Sequence, residues 1–182
     1  MTVPNLITMI RIILAPVFII YLINDQFISA LIVFILCGVS DGVDGMVARL
    51  FDQKSRLGTY LDPIADKTLL VAAFIVLAVR GVLPSWLTVL VIARDVMILL
   101  GVFVISLHRT ELRIKPSVLS KINTCLQFVT VIAVLSKGHL AFPPTVYLSL
   151  YYGTALFTIS SGLHYMQYWF RVMGEGAANS KR

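Results

Sequence analysis

The sequence predicts an all-α polytopic membrane protein: six transmembrane helices behind a short interfacial N-terminal segment. Three observations carry that expectation. Of 182 residues, 58% are hydrophobic and only 13% charged, too little polar side chain to cover a water-soluble domain of this length. Apolar runs of about 20 residues, the length a helix needs to cross bilayer hydrocarbon, recur from end to end. Between them lie short breaks holding the Gly, Pro, Asn or Asp that end helices.

The interfacial start is "MTVPN", and the first span covers about 7–23. It has no basic leader and no clear small-x-small cleavage site, so it is expected to be retained rather than removed as a signal peptide. "NDQ" at 24–26 separates it from a second span at about 27–49, and "FDQKSRLG" at 51–58 leads to a third at about 60–80. After "GVLP" comes the fourth, about 84–107; "HRTELRIKP" at 108–116 precedes the fifth, about 117–136. The sixth, about 146–170, follows "KGHLAFPP". One domain, 1–172, is expected, with 173–182 a polar, disordered C-terminal tail.

Basic residues sort these breaks into two sides. Arg49, Lys54 and Arg56 flank one break, Arg109, Arg113, Lys115 and Lys121 the next but one, and Arg171, Lys181 and Arg182 the C-terminus. Only Arg80 and Lys137 mark the opposite side. The excess of Lys and Arg places the first group and both termini in the cytoplasm, for a protein of the cell inner membrane. The net charge of +6 therefore reads as topology, with no nucleic-acid partner implied. Cys37 and Cys125 lie inside apolar segments and read as small buried hydrophobes. His164, Tyr165, Tyr168 and Trp169 near the end of the sixth span read as an interfacial aromatic belt, and none of the three histidines is assigned chemistry.

Against this background "SDGVDGMVARLFDQKSRLGTYLDPIADK", residues 40–67, holds five of the nine acidic residues. Asp41 and Asp44 are three apart, one face of a helix, with Gly45 and Ala48 extending that face and Arg49 beside it. Gly58, Asp62 and Asp66 recur every four residues on the third span, where Pro63 falls in the first turns. An ionised Asp deep in a bilayer costs about 2.5–3.5 kcal/mol, so four of them require compensating positive charge. Two divalent ions supply it, and an all-oxygen ligand set without His or Cys points to Mg²⁺ or Mn²⁺. Paired ions with small residues alongside suit transfer at phosphorus.

The string from Asp41 to Asp66 resembles the signature of the CDP-alcohol phosphatidyltransferase family, D-x2-D-G-x2-A-R-x8-G-x3-D-x3-D, at every fixed position: Asp41, Asp44, Gly45, Ala48, Arg49, Gly58, Asp62 and Asp66. The resemblance implies that Asp41, Asp44, Asp62 and Asp66 ligate metal and that Asp66 is also the general base. It implies donor contacts at Gly45, Ala48, Arg49, Ser55 and Gly58, and weaker ones at Pro4 and Asn5. The donor would be CDP-diacylglycerol, and a homodimer is what such a family suggests. "PNLITMIRIILAPVF" and "GTYLDPIADKTLLVAAF" look like the branch with glycerol-type acceptors. Within it the basic residues at the cytoplasmic mouth favour glycerol 3-phosphate, with phosphatidylglycerol, a cardiolipin-forming reaction, as the alternative; a divalent-cation transporter is a distant third. Lys121 is the first candidate for the acceptor phosphate, Arg94 and Arg113 the next. Arg94 and its neighbour Asp95 read equally well as a helix-packing network.

Overall fold

A computed structural model describes the backbone of residues 3–50, 56–107, 117–140 and 142–179, and side chains for 13–40, 67–101, 117–140, 142–167 and 169. The described chain is six helices: α1 (Val3–Ile23), α2 (Phe27–Leu50), α3 (Arg56–Val79), α4 (Ser85–Leu107), α5 (Val118–Leu135) and α6 (Pro144–Asn179). Each coincides with one expected span. Three ends differ. α1 takes in most of the "MTVPN" start, where Pro4 falls at the second helical position and the missing N–H is tolerated. α3 begins at Arg56, about one turn before the expected start near 60, which moves Pro63 one turn deeper into the helix. α6 runs on to Asn179, through most of the tail expected to be disordered; no proline stops it, and extending an existing helix is far easier than starting one.

Two helices end in the same way. Val82 N–H donates to Leu77 C=O and Gly81 N–H to Ala78 C=O, with Gly81 at φ 68°. Gln26 N–H donates to Tyr21 C=O and Asp25 N–H to Leu22 C=O, with Asp25 at φ 57°. Both are Schellman ends, which need a left-handed residue after the last turn. At the other end of the bundle, Ser117 caps α5: its side chain accepts from Ser120 N–H at 3.2 Å, satisfying a donor the helix leaves open.

α1 packs against both α2 and α3, α5 against α2, α3 and α6, and α4 against α3 and α6. Phe18, Phe34 and Phe128 form an aromatic run from α1 through α2 to α5, with ring centroids 5.5 and 4.7 Å apart. Gly38, one turn beyond Phe34, makes room for it: a Cβ there would stand 2.6 Å from Phe128 Cε1. On the outer surface Ile32, Leu36, Val89, Leu99, Leu156 and Leu163 are all more than half exposed, an apolar exterior suited to lipid rather than water. By length and composition α5 qualifies as a membrane crossing, and the described stretches Ile13–Ile23, Phe27–Ser40 and Lys67–Val79 are apolar but shorter.

Candidate functional site

α2 and α3 carry the signature, positions 41–49 on the first and 58–66 on the second. The side chains of Asp41, Asp44, Gly45, Ala48, Arg49, Gly58, Asp62 and Asp66, and of Pro4 and Asn5 on α1, lie outside the described residues, as do Ser55 and Arg113 altogether. Among the described residues no group of three His, Cys, Asp or Glu side chains could hold a metal ion. The helices that bear the four aspartates both pack on α1 and on α5, so they share two neighbouring helices.

What surrounds that region is described in detail. Between α2 and α5 opens a cavity of about 620 Å³, walled by Ile35, Gly38, Val39, Phe128 and Ile132 and edged by Ser120, Lys121, Thr124 and Cys125. Its walls are apolar and its charged group is Lys121, an exposed residue in the first turn of α5. The Ser117 cap fixes that turn. Cys125, expected to be buried, is exposed on the cavity, while Cys37 is buried; position 125 falls on the α5 face that points away from α6.

Arg94 and Asp95 form the centre of a buried polar cluster. Asp95 Oδ1 accepts from Arg94 Nη1 at 2.7 Å and from Lys67 Nζ of α3 at 2.6 Å. Arg94 Nη2 donates to Ser120 Oγ of α5 at 2.7 Å and to Ser161 Oγ of α6 at 2.6 Å. Its guanidinium lies over the Tyr165 ring, 5.8 Å from the centroid. A guanidinium buried to 4% exposure needs these partners, because an uncompensated charge in a low-dielectric interior is costly. The geometry thus favours the packing role for Arg94 over the acceptor role: both terminal nitrogens are engaged. Lys67, Ser120 and Ser161 escaped the sequence reading. The signal for them was there, since adjacent opposite charges in an apolar helix demand further polar partners at the same depth.

The aromatic belt is corrected in part. Tyr165 turns inward over Arg94, and the Trp169 ring fills the place where a side chain of Gly101 would be. Inward packing wins because α6 faces the glycine of α4 at this level, leaving a ring-sized space. Beyond the cluster, a seam of polar residues joins α5 to α6. Thr130 and Thr154 hydroxyls meet at 2.8 Å, and Thr158 Oγ1 lies 2.8 Å from the Asn123 amide and 2.7 Å from Thr154 C=O. Thr158 has one proton, so donation to Thr154 C=O leaves its oxygen to accept from an amide turned with Nδ2 toward it.

Comparison with known proteins bears on the signature. The family model for CDP-alcohol phosphatidyltransferase matches residues 1–172, and the chain belongs to that family. A cardiolipin synthase (CMP-forming) of Rattus norvegicus is 37% identical over 185 residues, 92% of this chain and 61% of the relative. One of Homo sapiens is 36% identical with the same coverage. Another, of Streptomyces coelicolor, is 37% identical over 114 residues, 59% of this chain and 53% of the relative. The chain thus spans about six-tenths of the length of the first two. These relatives bear the name of the cardiolipin-forming alternative rather than of the glycerol 3-phosphate reaction expected from sequence. The basic residues could not decide the matter: a lysine binds the phosphodiester of a lipid as readily as a soluble phosphate.

Proposed function

We propose that the chain transfers the phosphatidyl group of CDP-diacylglycerol to a free hydroxyl of phosphatidylglycerol, forming cardiolipin and releasing CMP. The similarity over 92% of the chain to CMP-forming cardiolipin synthases carries this reading. The cavity between α2 and α5 supports it, because apolar walls with one lysine at the edge suit a lipid-anchored phosphate better than a small soluble one.

Four carboxylates on two neighbouring helices fit hard divalent ions, and Asp41, Asp44, Asp62 and Asp66 would hold two Mg²⁺ or Mn²⁺. Bound there, the ions supply charge neutralisation for the donor diphosphate. The remaining work falls to the chain. Asp66 accepts the proton as the acceptor hydroxyl oxygen bonds to the lipid-side phosphorus, while the bond from that phosphorus to the CMP oxygen breaks. Arg49 holds the departing phosphate, Gly45 leaves space for the nucleotide, and Lys121 holds the acceptor phosphodiester. All six helices cross the bilayer in this reading, with the signature at its cytoplasmic face, as the distribution of Lys and Arg requires. A homodimer, suggested by the family resemblance, belongs to the same proposal.

The test is purified protein in lipid nanodiscs with CDP-diacylglycerol and Mn²⁺, offered phosphatidylglycerol or glycerol 3-phosphate. CMP release with the lipid acceptor, and cardiolipin in the products by mass spectrometry, is the expected result. Turnover with glycerol 3-phosphate alone overturns the acceptor; metal flux across vesicles without CMP release overturns the enzyme.

A further inference from the structure

Two residues that this reading singles out have neighbours tied to one place. Lys67 immediately follows Asp66 in the chain, and Ser120 immediately precedes Lys121. Lys67 is bound by Asp95, Ser120 by Arg94, and Arg94 and Asp95 are bound to each other. We infer that Arg94 and Asp95 are positioning residues for phosphatidyl transfer, holding α3 and α5 in the register that lets Asp66 and Lys121 address the same acceptor. The inference rests on the function proposed above.

Lys67 stands next to the last aspartate of the signature, and the buried apolar residues Leu69, Leu70, Ala73, Phe74 and Leu77 of α3 follow it. Successive residues on a helix are about 100° apart, so fixing Lys67 toward α4 also fixes the direction in which the preceding position points. On the other side, α4 packs broadly on α3 and α6 among the described residues, and it reaches α5 through the Arg94–Ser120 hydrogen bond. Arg94 holds Ser161 with the same nitrogen, so α6 backs the arrangement. Buried ion pairs are weak sources of stability, but their directional bonds specify one geometry where apolar contacts would allow several. A misplacement of about 1 Å at a reacting group can cost about 10²-fold in rate.

The experiment compares wild type, Lys67→Gln, Asp95→Asn, Asp95→Glu and the double variant Lys67→Gln/Asp95→Asn in nanodiscs with CDP-diacylglycerol, Mn²⁺ and phosphatidylglycerol. It reads kcat, KM for each lipid and the thermal midpoint. Lys67→Gln and Asp95→Asn are expected to lower kcat about 10- to 100-fold with KM for CDP-diacylglycerol within about threefold. The double variant falls no further than Asp95→Asn, because both changes break one tie, and Asp95→Glu restores most of kcat. The Lys67 side chain is 38% exposed, so Lys67→Gln reports even if Asp95→Asn does not fold. A Lys67→Gln enzyme with kcat within about twofold of wild type overturns the inference. So does a loss of kcat that follows the folded fraction, or a double variant that loses the product of the two single effects. Wild type without CMP release brings down the underlying function instead, before any variant is compared.

Discussion

Asp25 forms an ion pair with Arg80, joining the end of α1 to the end of α3. Each lies in a Schellman end, and Asp25 occupies the left-handed position that Gly81 fills in the other. An aspartate tolerates that conformation better than most residues but less well than glycine. Asp25→Gly should therefore trade a half-exposed ion pair, worth about 0–1 kcal/mol, for relief of backbone strain, with stability nearly unchanged. Asp25→Val should lower it by about 1–2 kcal/mol or more, since a β-branched residue at positive φ is strained. Thermal unfolding in detergent micelles distinguishes the two.

Gly101 and Trp169 set the spacing of α4 and α6. With the indole in place, a Cβ at Gly101 has no room, so Gly101→Ala should destabilise by about 1–3 kcal/mol through overpacking. Combined with Trp169→Ala, the loss should be smaller than the sum of the two single changes, because the smaller side chain vacates the space. A double-mutant cycle on unfolding midpoints measures the coupling.

The seam between α5 and α6 tests polar contacts within the bundle. Thr158 is 1% exposed and bonded to the Asn123 amide. Thr158→Val keeps the shape and removes the hydroxyl, and should cost about 0.6–2 kcal/mol. Asn123→Leu alone leaves the Thr158 hydroxyl its bond to Thr154 C=O and should be damaging through size rather than through an orphaned donor. Denaturation in mixed micelles supplies both values.

Lys121 edges the cavity and is exposed, so its removal should spare the fold. Lys121→Ala is expected to raise KM for phosphatidylglycerol about tenfold, the scale of one charge-assisted hydrogen bond, with KM for CDP-diacylglycerol unmoved. Lys121→Arg should recover much of the loss. Steady-state kinetics with each lipid varied in turn separates these effects.

Asp66→Asn should lower kcat about 10²- to 10⁴-fold, the usual contribution of a general base, more if a metal ligand is lost as well. Chelation by EDTA should abolish CMP release in the wild-type protein, and Mn²⁺ should restore it. Retained turnover after exhaustive chelation would remove the metal from the proposal.

The six helices were legible in the sequence, because apolar runs of bilayer length broken by Gly, Pro, Asn and Asp leave the backbone few alternatives. The signature was equally legible: its eight fixed residues are a local pattern, read without knowing what folds against what. Contacts made across the bundle were not. Nothing local pairs Lys67 with a residue 28 positions away, or Arg94 with Ser161, 67 positions away. An arginine in an apolar helix announces that it has partners and not which ones, since helix packing supplies them. The inward turn of Trp169, the exposure of Cys125 and the apolar cavity beside Lys121 were decided the same way. Sequence determined which segments are helical and where carboxylates gather; tertiary structure alone decided which helix faces meet, because burial is a property of neighbours rather than of residues.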